Sequence, residues 1–259
     1  MINVGSRDIR AGASVAVPMQ SYRDPASLLM PLDVDVLETA FRNHVSEAEF
    51  PCVGAKSALA RGTLRVVPAW SITSAWDDIR IHHELLEWSR SYENDPEGLR
   101  SLAVVFSGPD DLSETGFEQA MWDRLQSLAD KDVWLGQPHD PRVSPKADDP
   151  HFGLSFGKQA YFVVGLHPQA SRPARRMRYP ALVFNLHDQF ERLRQENRYE
   201  RMRERILSRD VELAGSINPM LARHGESSEA RQYSGREVDE HWKCPFRDPR
   251  TDDAPNSAA

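Results

Sequence analysis

Apolar and polar residues alternate along this chain with two different periods, which predict helices and strands in turn. Apolar residues recur every three or four positions in four segments, which are predicted helices: 33–45, 75–92, 113–129 and 188–207. Short runs rich in β-branched and aromatic residues predict strands at 62–69, 102–107, 160–166 and 180–185. We therefore expect an α/β fold of the mixed α+β kind, with about five strands in one central mixed sheet and helices flanking it.

The periodic pattern fades at both ends of the chain, and this bounds the predicted domain. Residues 1–30 have no sustained period and predict an N-terminal arm, whereas residues 248–259 are rich in Asp, Pro, Ser and Ala and predict a disordered tail. Residues 31–247 are then a single domain, since 40% hydrophobic residues can form a sizeable core. Within it, the polar and proline-rich residues 130–150 predict a long surface loop.

The spacing within 75–92 also predicts which side chains of that helix are buried. The inner stripe follows intervals of three and four residues and consists of Trp76, Ile79, His83, Leu86 and Arg90. His83 is therefore expected to face the core, and the adjacent His82 to point elsewhere.

Charge and cysteine content exclude several classes of protein. The net charge is −7 and no block of Lys and Arg stands out, so nucleic acid is not an expected partner. No apolar run approaches the roughly 18 residues of a membrane span and no secretory signal begins the chain, so we expect no membrane association and a cytoplasmic location. Cys52, expected to begin a loop after the first helix, and Cys244 are expected to be reduced thiols.

The most distinctive stretch lies between the last two predicted strands. His167 ends one strand and is followed by Arg172, Arg175 and Arg176, while His187 follows the next strand. Guanidinium groups bind carboxylates or phosphates in bidentate fashion, and a neutral imidazole can hold a metal. The pattern predicts a pocket for an anionic ligand at this edge of the sheet.

Other constellations are weaker. Residues 153–157 fit Gly-x-Ser-x-Gly, but a strand follows them where a nucleophile elbow needs a helix. The loop 108–113 lacks a glycine-rich nucleotide fingerprint. The histidines at 151, 167 and 187 match no compact metal motif, although they leave a non-haem metal enzyme as an alternative.

Several longer phrases resemble a known family over roughly residues 36–247. The phrases are FPCVGAKSAL, FVVGLHPQASRPARR, LVFNLHDQFERLR, GSINPML and SEARQYSGREVDEHWKCPF, and together they resemble the YqcI/YcgG family. Members of that family resemble haem-dependent N-hydroxylases of guanidino compounds. One departure is Leu186, which stands where the family phrase is expected to have proline.

This resemblance implies a cofactor, a reaction and partners. The cofactor is protohaem (haem b), and the reaction is monooxygenation that N-hydroxylates the guanidino group of arginine or a related compound. O₂ is the expected oxidant, and a ferredoxin or flavoprotein reductase is the expected external electron donor, since no reductase segment is recognisable in the chain. A haem-binding sensor or carrier without turnover is the other class of function that the resemblance leaves open.

The resemblance also suggests roles for individual residues. His167 is the expected axial ligand of the haem iron, with Cys52 and Cys244 as alternatives. The propionates are expected to bind three arginines of the following loop: Arg172, Arg175 and Arg176. Glu229 is the expected partner of the substrate guanidinium. An ion pair of Glu229 with Arg231 or Arg236 is the alternative.

Overall fold

The computed structural model describes residues 32–221 and 225–251, which form an α+β domain around one mixed sheet. Its five strands are β1 Leu64–Ala69, β2 Ser101–Phe106, β3 Leu154–Phe156, β4 Gln159–Leu166 and β5 Ala181–Leu186. The strand order is β1-β2-β5-β4-β3, in which β1 and β2 are parallel and every other neighbouring pair is antiparallel. The predicted fold class is confirmed. The arm predicted over 1–30 lies outside the described residues.

Seven α-helices flank the sheet in the described part of the chain. They are α1 Val34–Ser46, α2 Val53–Ala60, α3 Asp78–Asn94, α4 Glu114–Trp134, α5 His187–Gln195, α6 Tyr199–Ala214 and α7 Ala230–Tyr233. The side chains of Asp33 and Ser113 cap α1 and α4, because they accept hydrogen bonds from backbone N–H groups in the first turns. None of the helices in residues 32–221 and 225–251 has the length and apolarity needed to cross a membrane.

The two faces of the sheet are buried against different helices. Residues of β5 alternate between the faces, so that Leu182 and Phe184 pack with α3 and α4 whereas Ala181 and Val183 pack with α1 and α2. We call these the first face and the second face. Both are apolar along most of their length, which explains the nearly continuous apolar runs of the central strands.

The predicted buried stripe of α3 is wrong by about one residue. His82 is buried and His83 is exposed, and Trp76 and Ile79 are 82% and 77% exposed. Two buried polar contacts fix the rotation of the helix: His82 Nε2 lies 2.8 Å from Asp132 Oδ1, and Arg124 bonds to Asp78 at 2.6 Å. Because these partners come from α4, the spacing within α3 could not reveal them.

The predicted helix over 188–207 is in fact two helices. It breaks at Asn197, which has a φ of 57° in the left-handed region that asparagine tolerates better than most residues. The first of the two, α5, begins at His187 directly after β5. Cys52 likewise caps a helix, α2, and does not begin a loop.

The ordered chain continues beyond the predicted boundary at residue 247. Asp248 is 2% exposed, and Arg250 donates hydrogen bonds to Asp248, Asp132 and the carbonyl of Ser155. The segment 130–150 is also less exposed than predicted, because α4 extends to Trp134 and Asp140 is buried. Residues 248–251 therefore belong to the domain, and the rest of the predicted tail, 252–259, lies outside the described residues.

Candidate functional site

A cavity of about 230 Å³ opens on the second face of the sheet, near one end of β2 and β5. Its floor is a row of paired strand residues, Ser101, Asn185 and Phe162, and its walls come from the start of α2, from α5 and α6, and from the segment around α7. Most of the lining is apolar, and a few polar groups converge on it. This combination is typical of a small-molecule site.

Two polar side chains interrupt the otherwise apolar second face of the sheet. Ser101 Oγ donates a hydrogen bond to Asn185 Oδ1 at 2.7 Å. The neighbouring residues of this face on the same strands are alanine and valine: Ala103, Val105, Ala181 and Val183. The change from apolar to polar within two strands is the sequence signal that could have located the cavity.

An imidazole and a carboxylate form a buried pair in the wall. His187 Nε2 lies 2.7 Å from Glu229 Oε2, and the two residues are 7% and 9% exposed. His187 is placed by the end of β5 and Glu229 by the start of α7. A carboxylate bonded to one ring nitrogen fixes the orientation of the imidazole.

His187 also borders a second cavity of about 230 Å³. The lining of the second cavity includes Arg142, His151, Asp188 and Glu191. His187 therefore lines both cavities.

Cys52 contributes a thiol to the first cavity. Its Sγ accepts a hydrogen bond from the backbone N–H of Ala55 at 3.4 Å, as the N-cap of α2. Burial raises the pKa of the Cys52 thiol, although backbone N–H groups and the charge of Arg175 act in the opposite direction. The side chain is therefore a neutral thiol until a metal or another cation displaces its proton.

Two guanidinium groups line the same cavity. Arg194 pairs with Glu191, and its guanidinium carbon lies 4.4 Å from the centre of the Tyr199 ring. Arg203, one turn further along α6, forms no hydrogen bond or ion pair with the residues that the structure describes.

A family model matches this chain over residues 41–247, and its description is the YqcI/YcgG family. The chain belongs to the YqcI/YcgG family. The match includes the cavity residues from Cys52 to Gln232. No curated protein and no solved structure matches the chain.

In this YqcI/YcgG protein, His167 lies outside the cavity. It is 2% exposed, its ring stacks on Phe117 with centroids 4.2 Å apart, and its Nδ1 is buried without a hydrogen-bond partner among the described residues. Burial lowers the pKa of His167 to about 4, which the charge of Glu114 opposes and that of Arg175 reinforces. An unprotonated imidazole with an unpaired nitrogen can ligate a metal, so the role assigned to His167 stays a prediction.

The three arginines that follow His167 in the loop before β5 all bind groups of the protein. Arg172 pairs with Asp210 and donates to the carbonyl of Ser216, and Arg176 donates to the carbonyls of Ala170 and Ser171. Arg175 donates to three backbone carbonyls: Gly165, Gln232 and Tyr233. None of the three lines the cavity, and their assignment to propionates stays a prediction.

The remaining candidate ligands of this YqcI/YcgG protein are also dispersed. Cys244 packs against the core of the first face, where burial raises the pKa of its thiol to about 12. Within 32–221 and 225–251, no three His, Cys, Asp or Glu side chains are grouped so that they could hold a metal ion. His151, His167 and His187 are therefore not brought together. Of the predicted site residues, the structure brings Cys52 and Glu229 to the cavity.

Because His167 is buried, the folded state of this YqcI/YcgG protein is expected to lose stability in acid. Because its pKa is about 4 when folded and about 6.5 when unfolded, the unfolded chain binds the extra proton first as the pH falls between these values. In haem-free protein, this residue should therefore reduce the free energy of unfolding by up to about 3 kcal/mol from pH 7 to pH 4.

Denaturant unfolding of wild type and His167→Gln at pH 7, 5.5 and 4 measures this contribution. The free energy of unfolding should fall less steeply with decreasing pH in the variant than in wild type, since the other histidines are the same in both proteins. Parallel pH profiles of stability for wild type and variant would contradict the predicted contribution of His167.

Proposed function

We propose that this protein is a haem-dependent monooxygenase that N-hydroxylates the guanidino group of arginine or a related compound in the first cavity. The family membership and the resemblance to guanidino N-hydroxylases support the reaction. The observation that carries the proposal is the cavity itself, whose mostly apolar wall contains a thiol at Cys52, the His187–Glu229 pair and the guanidinium of Arg203.

The donor set at Cys52 is chemically suited to a haem iron. A thiolate at a helix N-terminus accepts backbone N–H bonds, and such bonds tune the electron density of a sulfur ligand. The surface beside the sulfur is apolar: a Cβ placed on Gly54 would lie 3.8 Å from both Cys52 Sγ and Leu99 Cδ1, an ordinary van der Waals distance. Cys52 is therefore the residue that we expect to hold the iron, in place of His167.

The cavity volume sets a further requirement. Pockets for drug-sized ligands are about 300–1,000 Å³, and the cavity of about 230 Å³ is smaller, so it accommodates an amino acid more readily than a macrocycle. Haem binding then requires the cavity to widen.

The polar groups of the chain bind and orient the substrate. Glu229 supplies a carboxylate for the substrate guanidinium, since the two form charge-assisted hydrogen bonds in a low-dielectric wall. His187 fixes the orientation of that carboxylate and can hold a proton at Nε2. Haem supplies the activation of O₂, with electrons from an external ferredoxin or flavoprotein. The apolar lining excludes water from the reacting guanidino nitrogen.

A visible spectrum of the protein reconstituted with hemin tests the proposal. We expect one haem per chain and a ferrous carbonyl spectrum of the thiolate type, which Cys52→Ser should abolish. Cys244→Ser is the matched control, because this thiol packs on the first face of the sheet and should leave the spectrum unchanged.

Turnover is measured separately, as Nω-hydroxyarginine formed from arginine, O₂ and a reductase system. Bound haem without any hydroxylated guanidine would indicate a carrier or sensor and would contradict the enzyme. Failure to bind haem at one per chain would reject the proposal as a whole.

A further inference from the structure

Arg203 has no protein partner among the described residues, unlike three other arginines around the second face. Arg172 pairs with Asp210, Arg194 pairs with Glu191, and Arg209 donates to the carbonyls of Ala48 and Phe50. Arg203 is half-buried in the cavity wall and forms none of these contacts. A cation that is held at an apolar cavity without a counter-charge is a binding group for an anion.

The sequence around Arg203 explains why no ion pair satisfies it within α6. The positions four residues away on either side are Tyr199 and Leu207, which also line the cavity. An ion pair along a helix needs an acid three or four residues away, and the acid at three residues, Glu200, forms no ion pair with Arg203. The guanidinium therefore lies among apolar cavity residues on this side of the helix.

The cavity thus contains an anion-binding group and a cation-binding group in different walls. Arg203 comes from α6, whereas Glu229 comes from the start of α7 and is oriented by His187. A ligand that satisfies both must have a negative group and a positive group separated by an apolar portion. A free guanidino amino acid has this charge pattern, with a carboxylate at one end and a guanidinium at the other.

We propose that Arg203 binds the α-carboxylate of the substrate and selects free amino acids over decarboxylated guanidines. The proposal rests on the proposed function, in that it takes the guanidino compound to bind in this cavity. Arg203 is then a specificity-determining residue. Its guanidinium can form two parallel hydrogen bonds with a carboxylate, which a lysine cannot reproduce.

Calorimetric titration of the full-length protein with L-arginine and with agmatine tests this assignment. Agmatine has the same guanidinium and chain but no carboxylate. Wild type should bind arginine roughly 10- to 100-fold more tightly than agmatine, the range for loss of one charge-assisted contact. Arg203→Gln should weaken arginine binding by a similar factor and leave agmatine binding unchanged. Arg203→Lys should fall between wild type and Arg203→Gln.

Arg201→Gln and Arg205→Gln are the matched controls, since both arginines are exposed on the same helix and neither lines the cavity. These variants remove the same charge and should change neither the dissociation constant of arginine nor that of agmatine. Thermal melting of each variant confirms that the fold is retained.

The outcomes separate the two proposals. Equal weakening of both ligands by Arg203→Gln, no weakening of arginine, or the same weakening in a control variant would overturn the role of Arg203 while the cavity remains a guanidino site. No binding of either compound to wild type would overturn the proposed function together with this inference.

Discussion

Arg175→Ala should destabilise the protein by about 3–5 kcal/mol, the cost expected when a buried charged group with several hydrogen bonds is removed. Its guanidinium donates to the carbonyls of Gly165 in β4 and of Gln232 and Tyr233 in α7, at distances of 3.0–3.2 Å. Burial lowers the pKa of Arg175 to about 10, so the group remains charged at neutral pH. Without it, the carbonyls lose their donor and the loop before β5 loses its attachment to α7.

Urea unfolding of wild type and variant at pH 7 measures the effect. Arg178→Ala is the matched control, because Arg178 is exposed and its main contact is the face of the Tyr179 ring, 5.2 Å from the ring centre. The control should change stability by less than about 1 kcal/mol. If Arg175→Ala is equally mild and instead reduces haem retention, the arginine binds a propionate, as the family resemblance implies.

Asp132→Ala should have an effect of the same size, about 3–5 kcal/mol, because three donors in a dry interior would lose their acceptor. Asp132 is fully buried and accepts from His82 Nε2 at 2.8 Å, from the backbone N–H of Gly157 at 3.0 Å and from Arg250 at 3.3 Å. These contacts join α3, the turn before β4 and the last described turn of the chain to α4.

The matched control for Asp132 is Asp130→Ala, which removes an exposed carboxylate whose described partner is Gln126 on the same helix. Thermal unfolding should show a large fall in Tm for Asp132→Ala and a small one for the control. A double variant with Arg250→Ala should lose less than the sum of the two single losses, since both changes break one contact. Additive losses would show that the carboxylate and Arg250 act independently.

The fold was more predictable than the site because most elements are encoded locally. The strands appear as β-branched runs, and the caps at Asp33 and Ser113 appear in the residues themselves. The rotation of α3 was mispredicted because partners distant in sequence decide it: Asp132 is 50 residues from His82. Periodicity within a helix contains no information about such pairs.

The same limit applies to the cavity. Glu229 was singled out as a carboxylate for a guanidinium, but its contact with His187, 42 residues earlier, could not be read from spacing. The sequence does not single out Arg203, because this residue lies in a run of alternating charges that predicts a solvated helix face. The polar pair of Ser101 and Asn185 in otherwise apolar strands is the feature that local reading could have used.

The position of His187 between two cavities has a consequence for substrate length. Each cavity measures about 230 Å³, and His187 lies at the boundary of both. A residue without a ring at this position would reduce the barrier between the first cavity and the second, whose lining includes the ion pair of Arg142 with Asp188. Such a change at His187 would join the two cavities into one longer space for a ligand, without rebuilding the sheet beneath it.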